Sequence, residues 1–225
     1  MVLADEDAGW ELDEPPALVR VLGRTLLELC AETIDVCPGI HGFIVVVPVG
    51  TEDRAADSAS NSPKFLGAVP GGTTIRESVV AGVEALPPGL EPVVWHEVTR
   101  PLASPELFAA VLQALEGADV AVTQVPVGDT VKRVDTGMVR ETIPRAGLGV
   151  AQTPQGFRRA ALAANNRGDE RGPMDRRDHP FLPARAGLRV AALPGDPANL
   201  KVRTSRDLRL VERLLAERIT RGHGR

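Results

Sequence analysis

Short runs of β-branched and apolar residues recur along this chain between stretches of helical periodicity. That alternation leaves few folds open, because it is the pattern of successive βαβ units on a largely parallel sheet. The runs are Phe43–Val47, Phe65–Val69, Pro92–Trp95, Ala118–Val125 and Leu188–Leu193. Most are apolar on both faces, as strands covered by helices on two sides must be. The intervening helices have readable ends. Ser104 suits an N-cap, Pro105 the first helical position and Gly117 a stop, with Phe108, Val111, Leu112 and Leu115 on one stripe between them. Thr74 and Glu77 have capping-box spacing ahead of Val79, Val83 and Leu86. Arg24–Val36 reads as a further helix, and a last one starts near Thr204 and runs through Leu208, Val211 and Leu215 to a polar tail expected to fray. The fold class predicted is α/β, a mostly parallel sheet flanked by helices.

Two segments depart from this rhythm. Residues 128–145 carry β-branched residues around Asp135-Thr136-Gly137, which predicts a hairpin protruding from the sheet as a β-arm over residues 126–148. Residues 166–185 are charged and weakly periodic, which predicts a surface loop. No internal repeat is seen, so the chain is expected to form a single domain over residues 1–225, the arm included.

Composition excludes several functions. The formal net charge of −4 and 3% aromatic content, with no tyrosine, argue against nucleic acid as a partner. No apolar run approaches the ~20 residues that span a bilayer, and the amino terminus lacks the basic start and apolar core of a signal peptide, so no membrane association and a cytoplasmic location are expected. Cys30 and Cys37 fit no metal spacing and read as small packing residues. Of 26 basic residues only Lys64, Lys132 and Lys201 are lysines. Each is a modest candidate for a place that needs a compact ammonium, although chance explains three almost as well.

Ligands of a doubly wound sheet bind beyond the carboxyl ends of its strands, so the polar motifs are read there. Gly71-Gly72 directly precedes a helix start, where backbone approaches a ligand closely and N–H groups meet anions or polar edges; a plain tight turn explains such a pair equally. His96-Glu97-Val98-Thr99-Arg100-Pro101 follows a strand and offers an acid for a divalent cation and an arginine for a hydroxyl or phosphate, against the ordinary alternative of an ion pair. His96 reads as a packed or capping imidazole. Lys201, Thr130, Lys132, Arg145 and the TPQGF segment at 153–157 add phosphate-suited donors near strand ends, more informative together than singly.

In order and spacing, Gly71–Gly82, HEVTRP at 96–101, PVGDTVKRV at 126–134, AQTPQGF at 151–157 and PGDPANLKV at 194–202 resemble the 2-C-methyl-D-erythritol 4-phosphate cytidylyltransferase (IspD) family. The resemblance implies a Rossmann-like nucleotidyltransferase fold, a homodimer interlocked through the β-arm, and transfer of CMP from CTP to a polyol phosphate. It further implies Gly71, Gly72, Arg76 and Ser78 around the cytidine nucleotide. Arg100, Thr130 and Thr153 would bind the polyol phosphate, Arg145 and Lys201 would act as catalytic cations, and Glu97 would hold Mg²⁺. Thr130 and Arg145 would reach in from the other subunit.

The chain departs from that pattern where the family carries a glycine-rich G-x-G-x-R loop and a Pro-Lys pair for the triphosphate. Here the chain reads Asp5-Glu6-Asp7-Ala8-Gly9-Trp10 and later Pro15-Pro16, with six acids and no Lys or Arg before Arg20. A like-charge pair at ~4 Å costs on the order of a kcal/mol or more, so an impaired triphosphate site is expected unless Arg20 or Arg24 replaces the missing cations. Glu97 stands where the family has Asp, and Met174-Asp175-Arg176-Arg177 replaces a Thr-Asp pair followed by an acid and a small residue. Two alternatives follow: a catalytically inactive dimeric binding or regulatory protein, and a cytidylyltransferase for another polyol phosphate such as ribitol or glycerol phosphate.

Overall fold

A computed structural model describes residues 1–4, 10–166 and 187–222. The expected loop at 166–185, apart from Asn166, which ends a helix, lies outside the described residues with Met174–Arg177, as do the acids Asp5–Asp7 and the last three residues of the tail. The first strand, β1 (Val2–Leu3), is followed by a 3-10 turn at Pro16–Leu18 and the short hairpin β2 (Arg20–Val21) and β3 (Arg24–Thr25). Then come α1 (Leu26–Asp35), β4 (Phe43–Val47), α2 (Glu52–Ala59), β5 (Phe65–Pro70), α3 (Ile75–Ala85), β6 (Val93–Glu97) and α4 (Pro105–Ala114). The remaining elements are β7 (Val120–Pro126), β8 (Val131–Asp135), β9 (Met138–Ile143), β10 (Gly149–Phe157), α5 (Arg159–Asn166), β11 (Val190–Pro194) and α6 (Ser205–Gly222).

Seven strands form one sheet in the order β11-β7-β10-β6-β1-β4-β5, parallel throughout except for β10, which is antiparallel to both β6 and β7. Side chains alternate between two cores, as the two-residue period of a strand requires. Phe43, Val45 and Val47 face the core shared with α1, α2, α4 and α6, whereas Ile44 and Val46 join Val79, Val83, Ala161 and Leu162 of α3 and α5 on the other face. Apolar burial on both faces is what made these strands readable as continuous hydrophobic runs.

Capping explains the helix starts. Thr25 closes a capping box with Glu28, so α1 begins after the β3 residues Arg24 and Thr25 instead of at Arg24. Thr74 and Glu77 form the second box at α3. At α4 Ser104 has N-cap geometry, but its hydroxyl serves the Glu106 carboxylate and no backbone amide. The hairpin of β8 and β9 turns through Thr136 and Gly137, both at positive φ, which is the twist a two-residue hairpin loop needs.

The chain runs outward from β1 through β4 to β5, then returns over the opposite face by α3 to β6 on the other side of β1. The carboxyl ends of β1 and β6 are therefore the switch point of the sheet, with Leu3 in register with Glu97.

Candidate functional site

Glu97 ends β6 at that switch point, and its neighbours arrive from three other parts of the chain. Arg100 donates from Nε to Glu97 Oε2 at 2.9 Å, from Nη1 to the Asn199 carbonyl at 2.9 Å and from Nη2 to the Ala151 carbonyl at 3.5 Å. Lys201 Nζ donates to Glu97 Oε1. The Glu97, Arg100 and Lys201 side chains are only 17%, 11% and 16% exposed. Burial pushes the Glu97 carboxyl upward, but Lys201 and Arg100 outweigh it and hold the group below the ordinary glutamate value.

Thr153 is fixed to the same strand end by β10. The register of β10 against β7 shifts between Gln152 and Gln155, and Thr153 and Pro154 occupy that irregularity, where a missing proline N–H costs no ladder bond. Thr153 Oγ1 accepts from the Glu97 amide at 3.0 Å and lies 3.2 Å from His96 Nδ1, while His96 Nε2 lies 3.1 Å from the Arg100 carbonyl. The chain closes with Thr153 donating to Nδ1 and Nε2–H donating to the carbonyl, which is a neutral imidazole. Burial lowers the His96 pKa to about 4, in agreement with that form, and its ring packs 5.2 Å from Phe108. His96 is thus the packed imidazole expected of it.

Two further residues were not singled out from the sequence. Asn199 Nδ2 donates to the Thr153 carbonyl at 2.8 Å, and its own carbonyl takes Arg100. Gln152 Nε2 donates to the carbonyls of Asp196 at 2.9 Å and Asn199 at 3.3 Å, and Gln152 Oε1 accepts from the Asp196 amide at 3.1 Å. The only signal for either was its place inside AQTPQGF or PGDPANLKV; nothing in a buried amide's type shows which distant carbonyl it will hold.

At the β5 end of the same edge, the four amides of residues 71–74 are all engaged within the chain. Gly71 N donates to the Val47 carbonyl at 2.7 Å, Gly72 N to Ser78 Oγ at 3.1 Å, and Thr73 N and Thr74 N to Glu77 Oε2 at 2.7 and 3.0 Å. The glycine N–H groups that the sequence offered to an anion are thus taken by Val47 and Ser78, and the next two by the helix's own Glu77, whose hydrogen bonds to Thr73 hold its carboxyl below the ordinary range. Ser78 is buried and Arg76 half-buried on the first turns of α3.

Thr130 and Arg145 lie exposed at the base of the hairpin, where Arg145 Nη1 donates to the Gly128 carbonyl. Among the described residues of this one chain, no hydrogen bond or ion pair joins either to the Glu97 cluster. Lys132, also exposed, donates to Thr142 at 2.6 Å. Pro16, where the family pattern has lysine, is buried in the 3-10 turn. Arg20 donates to the Gly23 carbonyl at 2.7 Å, and Arg24 pairs with Glu32 at 2.5 Å.

A Mg²⁺ ion suits octahedral oxygen ligands and repels neighbouring cations. Both Glu97 oxygens already carry a cation, and no group of three His, Cys, Asp or Glu able to hold a metal occurs among the described residues. By themselves these residues do not fit a resident Mg²⁺. None of the helices among the described residues is long and apolar enough to cross a membrane.

The profile of the family described as 2-C-methyl-D-erythritol 4-phosphate cytidylyltransferase matches residues 8–217. The Synechocystis protein named 2-C-methyl-D-erythritol 4-phosphate cytidylyltransferase is 39% identical over 209 residues, 89% of each chain. A Clavibacter michiganensis protein named bifunctional enzyme IspD/IspF is 40% identical over 212 residues, 90% of this chain but 50% of its own length. The crystal structure of 2-C-methyl-D-erythritol 4-phosphate cytidylyltransferase from Thermus thermophilus superposes with a TM-score of 0.68 at 31% identity, covering 95% of this chain and 96% of that one. The 4-diphosphocytidyl-2C-methyl-D-erythritol synthase of Anaerococcus prevotii gives a TM-score of 0.78 at 27% identity, over 96% and 94% of the chains.

Proposed function

The chain belongs to the 2-C-methyl-D-erythritol 4-phosphate cytidylyltransferase family, and from that premise we propose that it transfers CMP from CTP to 2-C-methyl-D-erythritol 4-phosphate, a step of isoprenoid precursor synthesis. A phosphate oxygen of the acceptor attacks the α-phosphorus of CTP in line. The new P–O–P bridge forms as the bond to the β-phosphate bridging oxygen breaks, and pyrophosphate leaves with that oxygen. Such transfers depend on positioning and on stabilising charge.

The observation that carries the reading is the buried Glu97–Arg100–Lys201 cluster at the switch point, which fixes two cations beside Thr153. In this reading Arg100, Thr153 and Thr130 hold the acceptor phosphate, and Lys201 and Arg145 face the charge that develops. Gly71, Gly72, Arg76 and Ser78 frame the cytidine. Mg²⁺ enters as the counter-ion of the triphosphate, its usual arrangement with nucleotides. Thr130 and Arg145 belong to the site of a second copy, joined through the arm. The arm supports this with exposed Val134, Met138 and Val139 at 58%, 63% and 61%, on a two-stranded ribbon of a kind that is marginal alone in water. Free Cys30 and Cys37 and a nucleoside triphosphate donor suit a cytoplasmic enzyme.

Pyrophosphate release from CTP, Mg²⁺ and 2-C-methyl-D-erythritol 4-phosphate tests the reading. Release that requires the acceptor is expected, and a rate equal to the protein-free rate from folded protein overturns it. Faster release with ribitol or glycerol phosphate would move the assignment to that acceptor. Buried Pro16 and the internally engaged Arg20 and Arg24 favour a second reading, a non-catalytic binding protein. That reading requires CMP to bind as tightly as CTP, so tighter binding of CTP counts against it.

A further inference from the structure

The geometry points to Glu97 as a positioning residue that fixes Arg100 and Lys201, and not as the ligand of the divalent cation. The inference deepens the cytidylyltransferase reading and rests on it for the identity of the acceptor. Each carboxylate oxygen holds one cation, Oε2 the Arg100 guanidinium and Oε1 the Lys201 ammonium. The two cations come from positions 101 residues apart in sequence, 201 minus 100, and the carboxylate between them offsets their mutual repulsion.

The glutamate is itself anchored. Its amide is held by Thr153 Oγ1, while Arg100 is braced independently by the Asn199 and Ala151 carbonyls. A carboxylate at the end of two methylenes spans the gap between an arginine three residues on and a lysine entering after β11, and an Asp would set its oxygens one methylene closer to the backbone. The three groups together carry one net positive charge. A dication on the same carboxylate would be the third cation there, and it would meet the repulsion of both Lys201 and Arg100. The site as folded is therefore built to present fixed positive charge to a phosphate.

Three measurements on the intact chain test this. The first is calorimetric binding of 2-C-methyl-D-erythritol 4-phosphate. The second is Mn²⁺ affinity, by electron paramagnetic resonance, for the protein–CTP complex. The third is the ¹⁵Nζ spectrum of the lysines, which is simple because the chain has only Lys64, Lys132 and Lys201.

Glu97→Gln is expected to weaken acceptor binding at least ~10-fold, to leave Mn²⁺ affinity within about twofold, and to shift the Lys201 resonance from its parent position. Any other combination overturns the inference. If Glu97→Gln does not fold, Glu97→Asp carries the test: the inference requires weaker acceptor binding with no gain in Mn²⁺ affinity, and tighter Mn²⁺ binding overturns it. The lysine spectrum separates the two levels of the argument. A parent protein that binds no acceptor defeats the proposed function, yet an unmoved Lys201 signal in Glu97→Gln is what defeats the role of Glu97.

Discussion

At the β5 end of the carboxyl edge the amides of residues 71–74 close on partners that are mostly near in sequence, Ser78 six residues from Gly72 and Glu77 three from Thr74. At the β6 end, Glu97 closes on Lys201 at a separation of 104 residues, and Arg100 on Asn199 at 99. The first region is uncharged apart from one self-used carboxylate and one arginine, and it is made chiefly of backbone. The second is a buried ionic network assembled from β6, β10 and the segment after β11. Under the proposed function the two regions would serve two ligand parts of different kinds, the first a base and sugar and the second a phosphate.

Breaking the long-range region should cost most. Arg100→Met removes a buried cation with three protein partners and leaves Glu97 with Lys201 alone, so urea denaturation should show a loss of ~3–5 kcal/mol, the usual cost of removing one member of a buried pair. A loss below ~1 kcal/mol would place the pair with surface ion pairs. Next comes the imidazole beneath the network. The folded pKa of His96 is about 4, below the unfolded value of about 6.5, so the unfolded state binds the proton first. Its contribution is complete above pH ~6.5 and is lost as pH falls toward 4, a few kcal/mol in all. His96→Gln should flatten that slope in stability measured between pH 7 and 4, and an unchanged slope would mean that His96 does not titrate as its burial requires.

The local region should respond less. A Cβ on Gly72 would stand 2.1 Å from Glu77 Cβ, so Gly72→Ala must shift the start of α3. A stability loss of ~1–3 kcal/mol is expected. Cytidine binding should weaken while acceptor binding stays within twofold. If acceptor binding fell equally, the two regions would not be separate units, and the comparison would fail.

The legibility of the molecule in its sequence follows the same division. The capping box of α3 and the buried strands β4 and β6 follow from contacts within a few residues or from two-sided burial, and they were predictable for that reason, whereas the equally local box of α1 was overlooked. α2 was missed because it buries only Ala55 and Ala59 and so shows no apolar stripe. β10 was missed because Pro154 and Gly156 interrupt any strand pattern, whereas the irregularity in its register accommodates the proline. From residue types alone Glu97 and Arg100 read as a cation ligand with a phosphate binder or as an ion pair, and the ion pair forms; the family resemblance is what set Thr153 and Lys201 beside them. No local pattern could show that the carboxylate would be shared between the two cations, whereas the capping-box spacing of Thr74 and Glu77 did point to Glu77 taking a helix amide.

The most direct test of the account is the product itself. ³¹P spectra of CTP, Mg²⁺ and 2-C-methyl-D-erythritol 4-phosphate incubated with the folded protein should show a new pair of coupled diphosphate resonances growing together with one equivalent of pyrophosphate. CTP that stays intact, or that yields CMP with no diphosphate ester, would contradict the account.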